Sequence, residues 1–374
     1  MNIEKVIEKY VETVESNAFV GYEKDLAGRI MSALSAGYQN RLCETDMVKI
    51  IESVINGCKN LTSKSDQPYF ELSTNAIFVH GYPKESGVEF DYYGARASTE
   101  LGDIIFIASI IFNDQIYFEK FTISQFKKDN QRNRSISWNM ENKKQLYLLS
   151  RFPEFRGVAG SIVPQKNFNL PNYSGCLGSY SLLYAPGDFA FVSGTRLDSY
   201  LGSRNKINGD DLFSIGERRD VINISKWHHW WHEWVHMIDV CRHFCRPHCN
   251  ACFLLSPFNL FLGNFHFLGN CHFSMNVSDF VSKYLRLCIG EPTVAKIGKR
   301  NLHAINFLIE LMSALKAKAI KDNLTDLQNF TEGFFKYRYA NNEGIKMYRE
   351  NIEFKPKGGG LGIIYTTINL GEGE

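Results

Sequence analysis

Four polar residues flank a long apolar run, and their types fit metal-assisted hydrolysis. Glu100 and Asp103 come just before the run, whereas Gln125 and Lys127 follow the next apolar segment. Carboxylate oxygens are ligands that Mg²⁺ prefers, and a bound ion acidifies one of its waters. A nearby lysine can orient that water or stabilise developing negative charge. These residues therefore predict a hydrolytic metal site, provided that the fold brings them together.

The apolar run Ile104–Phe112 predicts a buried strand. It is dominated by isoleucine and phenylalanine, and such a continuous run is typical of a strand covered on both faces. Residues 116–126 predict a second strand. The polar residues 113–115 between them predict a three-residue hairpin turn.

The length of that turn decides which side chains meet. With three turn residues Phe112 pairs with Ile116, and Asp103 then lies opposite Gln125. Because side chains alternate along a strand, Asp103, Gln125 and Lys127 project to one side of the sheet. A two-residue turn alone would move Asp103 to the other face. The predicted site therefore requires the longer turn or a β-bulge.

This pattern resembles the PD-(D/E)xK nuclease superfamily, in the Mrr-like variant where glutamine replaces the second acid. The resemblance implies that Asp103 binds the metal, that Gln125 occupies the second acidic position at the metal, and that Lys127 activates the attacking water. Gly102 departs from the pattern because it occupies the proline position. The resemblance extends over roughly residues 20 to 195. It implies Mg²⁺ or Mn²⁺ as cofactor and DNA as substrate, with RNA as an alternative.

Two glutamates are further candidates for the metal site. Glu100 is near enough in sequence to act as another ligand or as a base beside the ion. In the superfamily a helix before the first strand often donates an acidic residue, and Glu23 is the candidate here. It lies in a predicted amphipathic helix over residues 22–34.

The remaining elements predict an α/β (α+β) fold with a restriction-endonuclease-like core, in which helices flank a mixed central sheet. A second helix is predicted over residues 46–55, a third over 139–152 and a following core strand over 188–192, with irregular loops over 157–187. Residues 1–195 would form the nuclease core with its N-terminal helices. Residues 196–374 would form an accessory, mainly helical domain that ends in an edge strand over residues 363–368.

Basic residues cluster after the motif and would neutralise the phosphates of a nucleic acid. A solvated helix face is the alternative explanation. The cluster comprises Lys127, Lys128, Arg132, Arg134, Lys143, Lys144, Arg151 and Arg156.

A second conspicuous segment, residues 227–272, is rich in histidine, cysteine and tryptophan and contains eight of the ten histidines. Within it His232, Glu233 and His236 match H-E-x-x-H, in which two histidines one helical turn apart can bind Zn²⁺ beside a glutamate base. A zinc metallopeptidase is therefore the alternative function. A third ligand at the usual spacing after His236 is missing from the sequence.

The same segment also supplies ligands for a structural zinc ion. Thiolates and imidazoles suit Zn²⁺, although the spacing is not that of a standard finger. A non-catalytic, zinc-stabilised binding protein is thus a further alternative, and buried apolar cysteines would need no metal at all. The candidate ligands are Cys241, Cys245, Cys249, Cys252, His232 and His236.

Composition sets the cellular context. The chain has 374 residues, a net charge of +2 and nine cysteines without regular spacing, which favours a reducing, cytoplasmic location. Residues 247–278 are apolar and uncharged, but Pro, Gly, Asn and His interrupt them too often for a membrane span. We expect a DNA endonuclease of restriction or phage defence without membrane association. A homo-oligomer or a companion defence protein is an expected partner.

Overall fold

The structure is a computed structural model, and it describes residues 3–58, 60–63, 69–80, 86–129, 136–217, 271–295, 301–339 and 360–371. Within these ranges the strands are β1 (Leu61–Ser63), β2 (Phe70–His80), β3 (Gly87–Tyr92), β4 (Ala95–Glu100), β5 (Ile104–Phe112), β6 (Gln115–Lys128), β7 (Ser137–Asn139), β8 (Phe155–Gly157), β9 (Gly178–Tyr184), β10 (Asp188–Ser193), β11 (Lys206–Asn208), β12 (Phe273–Ser274), β13 (Glu291–Ala295) and β14 (Gly360–Asn369). The helices are α1 (Ile3–Glu15), α2 (Asn17–Gln39), α3 (Glu44–Asn56), α4 (Lys143–Arg151), α5 (Gly194–Leu201), α6 (Asp211–Glu217), α7 (Val277–Leu285), α8 (Leu302–Lys321) and α9 (Thr325–Tyr339).

The fold is mixed α/β, with a central mixed sheet flanked by helices. Along the sheet the strands follow the order β1-β2-β14-β5-β6-β9-β10-β12, and β13 also pairs with β6. Strand β5 is antiparallel to β6 and parallel to β14, while β6 is parallel to β9. Two smaller sheets have the orders β4-β3-β8 and β11-β7.

Strand β5 is the centre of the sheet because both of its faces are covered. All nine of its residues are buried. Ile105 and Ile107 pack into the core on the α4 and α8 side, whereas Ile104 and Phe106 pack into the core formed with α2, α3 and α7. Each fully buried side chain of this size contributes about 1.5–3 kcal/mol through the hydrophobic effect.

Several predicted elements are confirmed. Strand β5 has the predicted bounds, and the helix predicted over residues 139–152 is α4. Asn142 caps α4 by accepting a hydrogen bond from the backbone N–H of Gln145, and Phe152 ends the helix in a left-handed conformation. The chain then turns towards β8.

The core strand predicted over residues 188–192 is confirmed as β10, but two other predictions are wrong. The region predicted as loops contains β9, which lies between β6 and β10 in the sheet. The C-terminal strand β14 is not an edge strand. It is inserted between β2 and β5, where its apolar residues are covered on both faces.

The domain boundary predicted after residue 195 does not coincide with a break in the sheet. The N-terminal strands β2 and β5 are joined through β14. Helix α9 also contributes Arg338, which forms a buried ion pair with Glu119 of β6. Among the described residues, no helix combines the length and apolar character needed to cross a bilayer.

Candidate active site

The β5–β6 hairpin has a shorter turn than predicted. Asn113 and Asp114 have φ angles of 49° and 54°, in the left-handed region. Two such residues are typical of a type I′ turn, and Phe112 accordingly pairs with Gln115 rather than with Ile116. The predicted three-residue turn is therefore wrong.

A β-bulge nevertheless restores the predicted register. Next to Ile110 the pairing shifts by one residue, and beyond that point Ile104 pairs with Ser124. Bulges insert one extra residue into one strand, so a two-residue turn with a bulge gives the same offset as a three-residue turn. Asp103 and Gln125 follow this pair and lie opposite one another, as predicted.

Direct hydrogen bonds join the two strands at Asp103. Its Oδ2 accepts from Gln125 Nε2 at 2.5 Å and from the backbone N–H of Phe126 at 2.7 Å. Its own backbone N–H donates to the Ser124 carbonyl at 2.9 Å. The carboxylate of Asp103 is therefore fixed on the face of the sheet that carries Gln125.

Gly102 lies where strand β6 passes close to the backbone before β5. A Cβ atom at this position would lie 2.7 Å from Cγ2 of Ile123 and 3.2 Å from the carbonyl oxygen of Ser124. Strand β6 thus passes too close for a larger residue unless the backbone shifts. A proline would meet the same obstacle.

Gln145 is a site residue that the sequence did not single out. It is buried on α4, and its amide nitrogen donates to Gln125 Oε1 and to the backbone carbonyl of Glu100, the latter at 3.3 Å. Since Gln125 also donates to Asp103, a chain of amides links α4 to the carboxylate. The only sequence signal was its position three residues after the helix cap Asn142.

Glu44, in the first turn of α3, is the second residue that sequence reasoning missed. Its Oε1 lies 3.2 Å from Lys127 Nζ, and its Oε2 accepts from the backbone N–H of Lys128 at 2.8 Å. An acid in the first turn of a helix is ordinarily explained by the helix dipole. Its contact with Lys127 is visible only in the folded chain.

The predicted residues meet at one cavity of about 200 Å³. Glu100, Asp103, Gln125 and Lys127 all line it. The structure therefore brings together the four residues that the sequence proposed as catalytic. The other lining residues are Glu44, Thr45, Val48, Phe78, Asn142, Gln145 and Gly360.

Burial determines the pKa values of two carboxyl groups in this cavity. It raises the pKa of Asp103 to about 8, with further increases from Glu44 and Glu100, while the Phe126 N–H and Lys127 act in the opposite direction. Burial also raises the pKa of Glu100, with a smaller increase from Glu44 and an opposing effect from Lys127.

Glu23 lies elsewhere, so its assignment to this cavity is corrected. Its carboxylate forms an ion pair with Arg286 at 2.8 Å and accepts from Ser282 Oγ at 3.2 Å. Glu23 is buried between α2 and α7 and is absent from the lining of the cavity. The acid that a preceding helix supplies to the cavity is Glu44 instead.

The basic cluster is largely paired within the protein. Arg156 binds Glu89, Arg151 lies 3.5 Å from Asp198, and Lys143 donates to a backbone carbonyl. Of the described members of the cluster, only Lys127 lines the cavity around Asp103, and Lys127 and Lys128 line a neighbouring cavity. Arg132 and Arg134 lie outside the described residues.

The His/Cys-rich segment is described only at its end. All six candidate zinc ligands, Cys241, Cys245, Cys249, Cys252, His232 and His236, lie in residues 218–270, outside the described part of the chain. At its end, His272 Nδ1 lies 2.9 Å from Ser193 Oγ and 3.4 Å from Cys176 Sγ. Within the described ranges, no three His, Cys, Asp or Glu side chains are arranged to hold a metal ion.

Comparisons with protein-family models, with curated proteins and with solved structures found no match for this chain. The functional argument therefore depends on the geometry and chemistry of the cavity.

Proposed function

We propose that this protein is a metal-dependent nuclease that hydrolyses DNA phosphodiester bonds at the cavity around Asp103. The observation that carries the proposal is the register of the β5–β6 hairpin, which places Asp103 opposite Gln125 with Lys127 in the same cavity. Three residue types that occur in a sequence by chance need not lie close together in the fold. Convergence in a polar cavity supports a common chemical task.

The types of donor atom at the cavity suit a hard divalent cation. Asp103, Glu100 and Glu44 offer carboxylate oxygens, and Gln125 offers an amide oxygen, which are the donors that Mg²⁺ and Mn²⁺ prefer. The three acids do not converge on one ion position in the structure, so ion binding would require their side chains to reorient. The pKa values of Asp103 and Glu100 are raised chiefly by burial, with a smaller contribution from the neighbouring acid Glu44. Asp103 and Glu44 hold hydrogen bonds in the structure, so the ion would replace part of these contacts. When bound, it would acidify a water and neutralise charge on the phosphate.

Lys127 supplies the fixed positive charge of the site. Its ammonium group lies 3.2 Å from Glu44 and is half-buried at the cavity. A phosphodiester gains negative charge on its equatorial oxygens during hydrolysis, and a positioned ammonium stabilises that charge more effectively in a partly desolvated cavity than in water. Lys127 can also donate a hydrogen bond to the attacking water and so orient it.

The order of elements around the cavity supports a restriction-endonuclease-like core. The antiparallel β5–β6 hairpin is followed by α4 and then by β9, which pairs with β6 in parallel. The insertion of β14 between β2 and β5 is the difference from a simple succession of neighbouring strands. A role in restriction or phage defence, with a homo-oligomer or companion protein, follows only from the resemblance and remains part of the proposal.

A plasmid-nicking assay with Mg²⁺, Mn²⁺ or EDTA tests the proposal. We expect cleavage that requires the metal, and a loss of more than about 100-fold in both Asp103→Asn and Lys127→Met. Asp25→Asn and Lys24→Met, on the exposed surface of α2, are matched controls and should retain activity. Circular dichroism should show the same fold in all variants.

Retention of cleavage by Asp103→Asn or Lys127→Met, or cleavage that is insensitive to EDTA, would contradict the proposed site. Casein cleavage by the same preparations tests the alternative. If casein is cleaved and Glu233→Gln abolishes that activity, the metallopeptidase assignment replaces the nuclease.

A further inference from the structure

A second cavity adjoins the one around Asp103. It measures about 350 Å³. Glu44, Lys127, Asn142 and Gln145 line both cavities. The two cavities are therefore neighbours, and the ion pair between Lys127 and Glu44 lies at their boundary.

Five elements and one loop form the walls of this second cavity. The end of β6 contributes Lys127 and Lys128, the end of β7 contributes Asn139, β9 contributes Tyr180, α3 contributes Glu44 and α4 contributes Gln145, while the segment between β7 and α4 contributes Met140, Glu141 and Asn142. The lining combines two ammonium groups with two carboxyl groups, three side-chain amides, a thioether and one tyrosine that is only 2% exposed. The ammonium and amide groups suit a ligand that has a phosphate and hydrogen-bonding edges.

Tyr180 connects the second cavity directly to the candidate catalytic residues. In the parallel pairing of β6 with β9, Tyr180 is the partner of Gln125. Gln125 in turn lies opposite Asp103 on β5, so the three residues form one row across three strands. A ligand in contact with Tyr180 thus lies one strand away from the Asp103–Gln125 pair.

We propose that the second cavity binds one unpaired nucleotide next to the phosphodiester that is cleaved at Asp103. The preferred substrate is then single-stranded DNA or an unpaired DNA end rather than a continuous duplex. This inference rests on the proposed nuclease function and names its substrate class.

The size of the cavity supports a single nucleotide. Pockets for small ligands have volumes of about 300 to 1,000 Å³, and about 350 Å³ lies near the lower limit. Enzymes that must reach a nucleotide in such a pocket act on single strands or unstack the nucleotide from the duplex.

The lining residues have distinct roles in this arrangement. Lys127, at the boundary, contacts the phosphate that joins the bound nucleotide to its neighbour. Tyr180 reaches the cavity from a buried side chain and hydrogen-bonds the sugar or base through its hydroxyl, and the amides of Asn139 and Asn142 bind the edge of the base. Asn142 is already oriented, because its Oδ1 accepts from the Gln145 N–H at 3.2 Å.

Two measurements on the full chain test the proposal. The first compares metal-dependent cleavage of a short fluorescein-labelled oligodeoxythymidine with cleavage of a blunt duplex of equal length. The second uses Asp103→Asn, which should bind without cleaving, and follows fluorescence anisotropy with the same two probes. We expect the single strand to be cleaved at least about tenfold faster and bound at least about tenfold more tightly, a difference of about 1.4 kcal/mol.

Tyr180→Phe tests this cavity without changing the candidate catalytic residues, because it removes one hydroxyl and creates no void. In wild-type background it should raise KM more than it lowers kcat, and in the Asp103→Asn background it should weaken single-strand binding. Tyr173→Phe, at an exposed tyrosine, is the matched control and should change neither quantity.

Equal cleavage and binding of the duplex, or unchanged binding in Tyr180→Phe, would overturn the inference. If cleavage still depends on Asp103, the proposed nuclease function survives that result. If no cleavage occurs with either probe, the nuclease proposal fails. In that case, single-strand binding that is weakened by Tyr180→Phe would still support the nucleotide cavity. A lack of single-strand binding would refute the nucleotide cavity.

Discussion

The side-chain amide of Gln125 donates a hydrogen bond to Asp103, with 2.5 Å between Nε2 and Oδ2. Gln145 determines this orientation, because it donates to the carbonyl oxygen of the same amide. Gln125 therefore acts as a hydrogen-bond donor towards Asp103. A carboxylate at this position would not supply that donor.

Gln125→Glu should destabilise the protein when no metal is present. The resemblance alone suggests that this change restores the usual acid, but an ionised glutamate cannot donate the hydrogen bond that the Gln125 amide gives to Asp103. Loss of this buried hydrogen bond costs about 1–3 kcal/mol. Chemical unfolding in EDTA should show the loss, and Mg²⁺ should restore part of it. Gln39→Glu, at an exposed position, is the control; equal stability of both variants in EDTA would argue against the donor role.

The stability of the protein should fall as pH rises through the titration of Asp103. Its pKa of about 8 in the folded chain is above the ordinary value of 3.8, so between these values the folded state binds more protons than the unfolded state. The stabilisation is complete below about pH 4 and is lost as pH approaches 8, with a slope of at most roughly 1.4 kcal/mol per pH unit.

Urea unfolding of wild type and Asp103→Asn in EDTA, between pH 5 and pH 9, measures this effect. The difference in unfolding free energy between the two proteins should move in favour of Asp103→Asn as pH rises. A difference that does not change with pH would show that Asp103 ionises normally. Saturating Mg²⁺ should remove the pH dependence if the ion binds the carboxylate.

Glu44→Gln should weaken the binding of the metal ion on which cleavage depends. The change removes one of three carboxylates from the cavity and breaks the ion pair with Lys127. We expect the Mg²⁺ concentration for half-maximal cleavage to rise by about 10- to 100-fold, as is typical when a group around a metal site is lost. Asp46→Asn, in the same exposed helix turn but outside the cavity, should leave the concentration unchanged. Similar behaviour of the two variants would remove Glu44 from the site.

The buried pair of Glu119 and Arg338 should attach α9 firmly to the sheet. Glu119 also accepts hydrogen bonds from Ser109 Oγ and Thr293 Oγ1, both at 2.7 Å. Arg338→Met leaves this carboxylate without its charged partner and should cost about 3–5 kcal/mol. The double change Glu119→Met with Arg338→Met should recover much of that loss. Thermal unfolding checks both; a double variant less stable than Arg338→Met would contradict the argument.

Residues 1–195 should not fold as an independent unit. Strands β2 and β5 are separated by β14, and the fragment lacks the strand that both of them pair with. We expect the fragment to be aggregated or to lack a cooperative unfolding transition, whereas the fragment supplemented with a peptide of residues 360–371 should gain structure. A soluble fragment with a cooperative transition would instead support the boundary predicted from the sequence.

The local parts of the site were predictable from the sequence because they depend on short-range patterns. The apolar run of β5 and the polar turn after it were sufficient to place Asp103 opposite Gln125. The turn length was wrong, and the bulge beside Ile110 corrected the offset. A bulge has no clear sequence signal here, so the predicted register was reached through a different local geometry.

The long-range parts were not predictable. Strand β9 was assigned to a loop because its serines and the glycines before it resemble turn residues. In the fold those serines pair in a buried position; Ser181, for example, lies 2.9 Å from Ser124 between their hydroxyl oxygens. Glu44 and Gln145 reach the cavity from helices that the sequence alone cannot orient relative to the sheet.

The position of β14 has a consequence for when the active site forms during synthesis. The backbone N–H of Gly362 donates to the carbonyl of Asp103 at 2.7 Å, and Gly360 lines the cavity. A nascent chain that has already exposed Asp103, Gln125 and Lys127 therefore lacks one wall of the site until residues 360–369 emerge from the ribosome. Pairing between strands so distant in sequence is slow to form. Under the proposed function, the topology of the sheet would keep an incomplete chain from cutting nucleic acid near the ribosome.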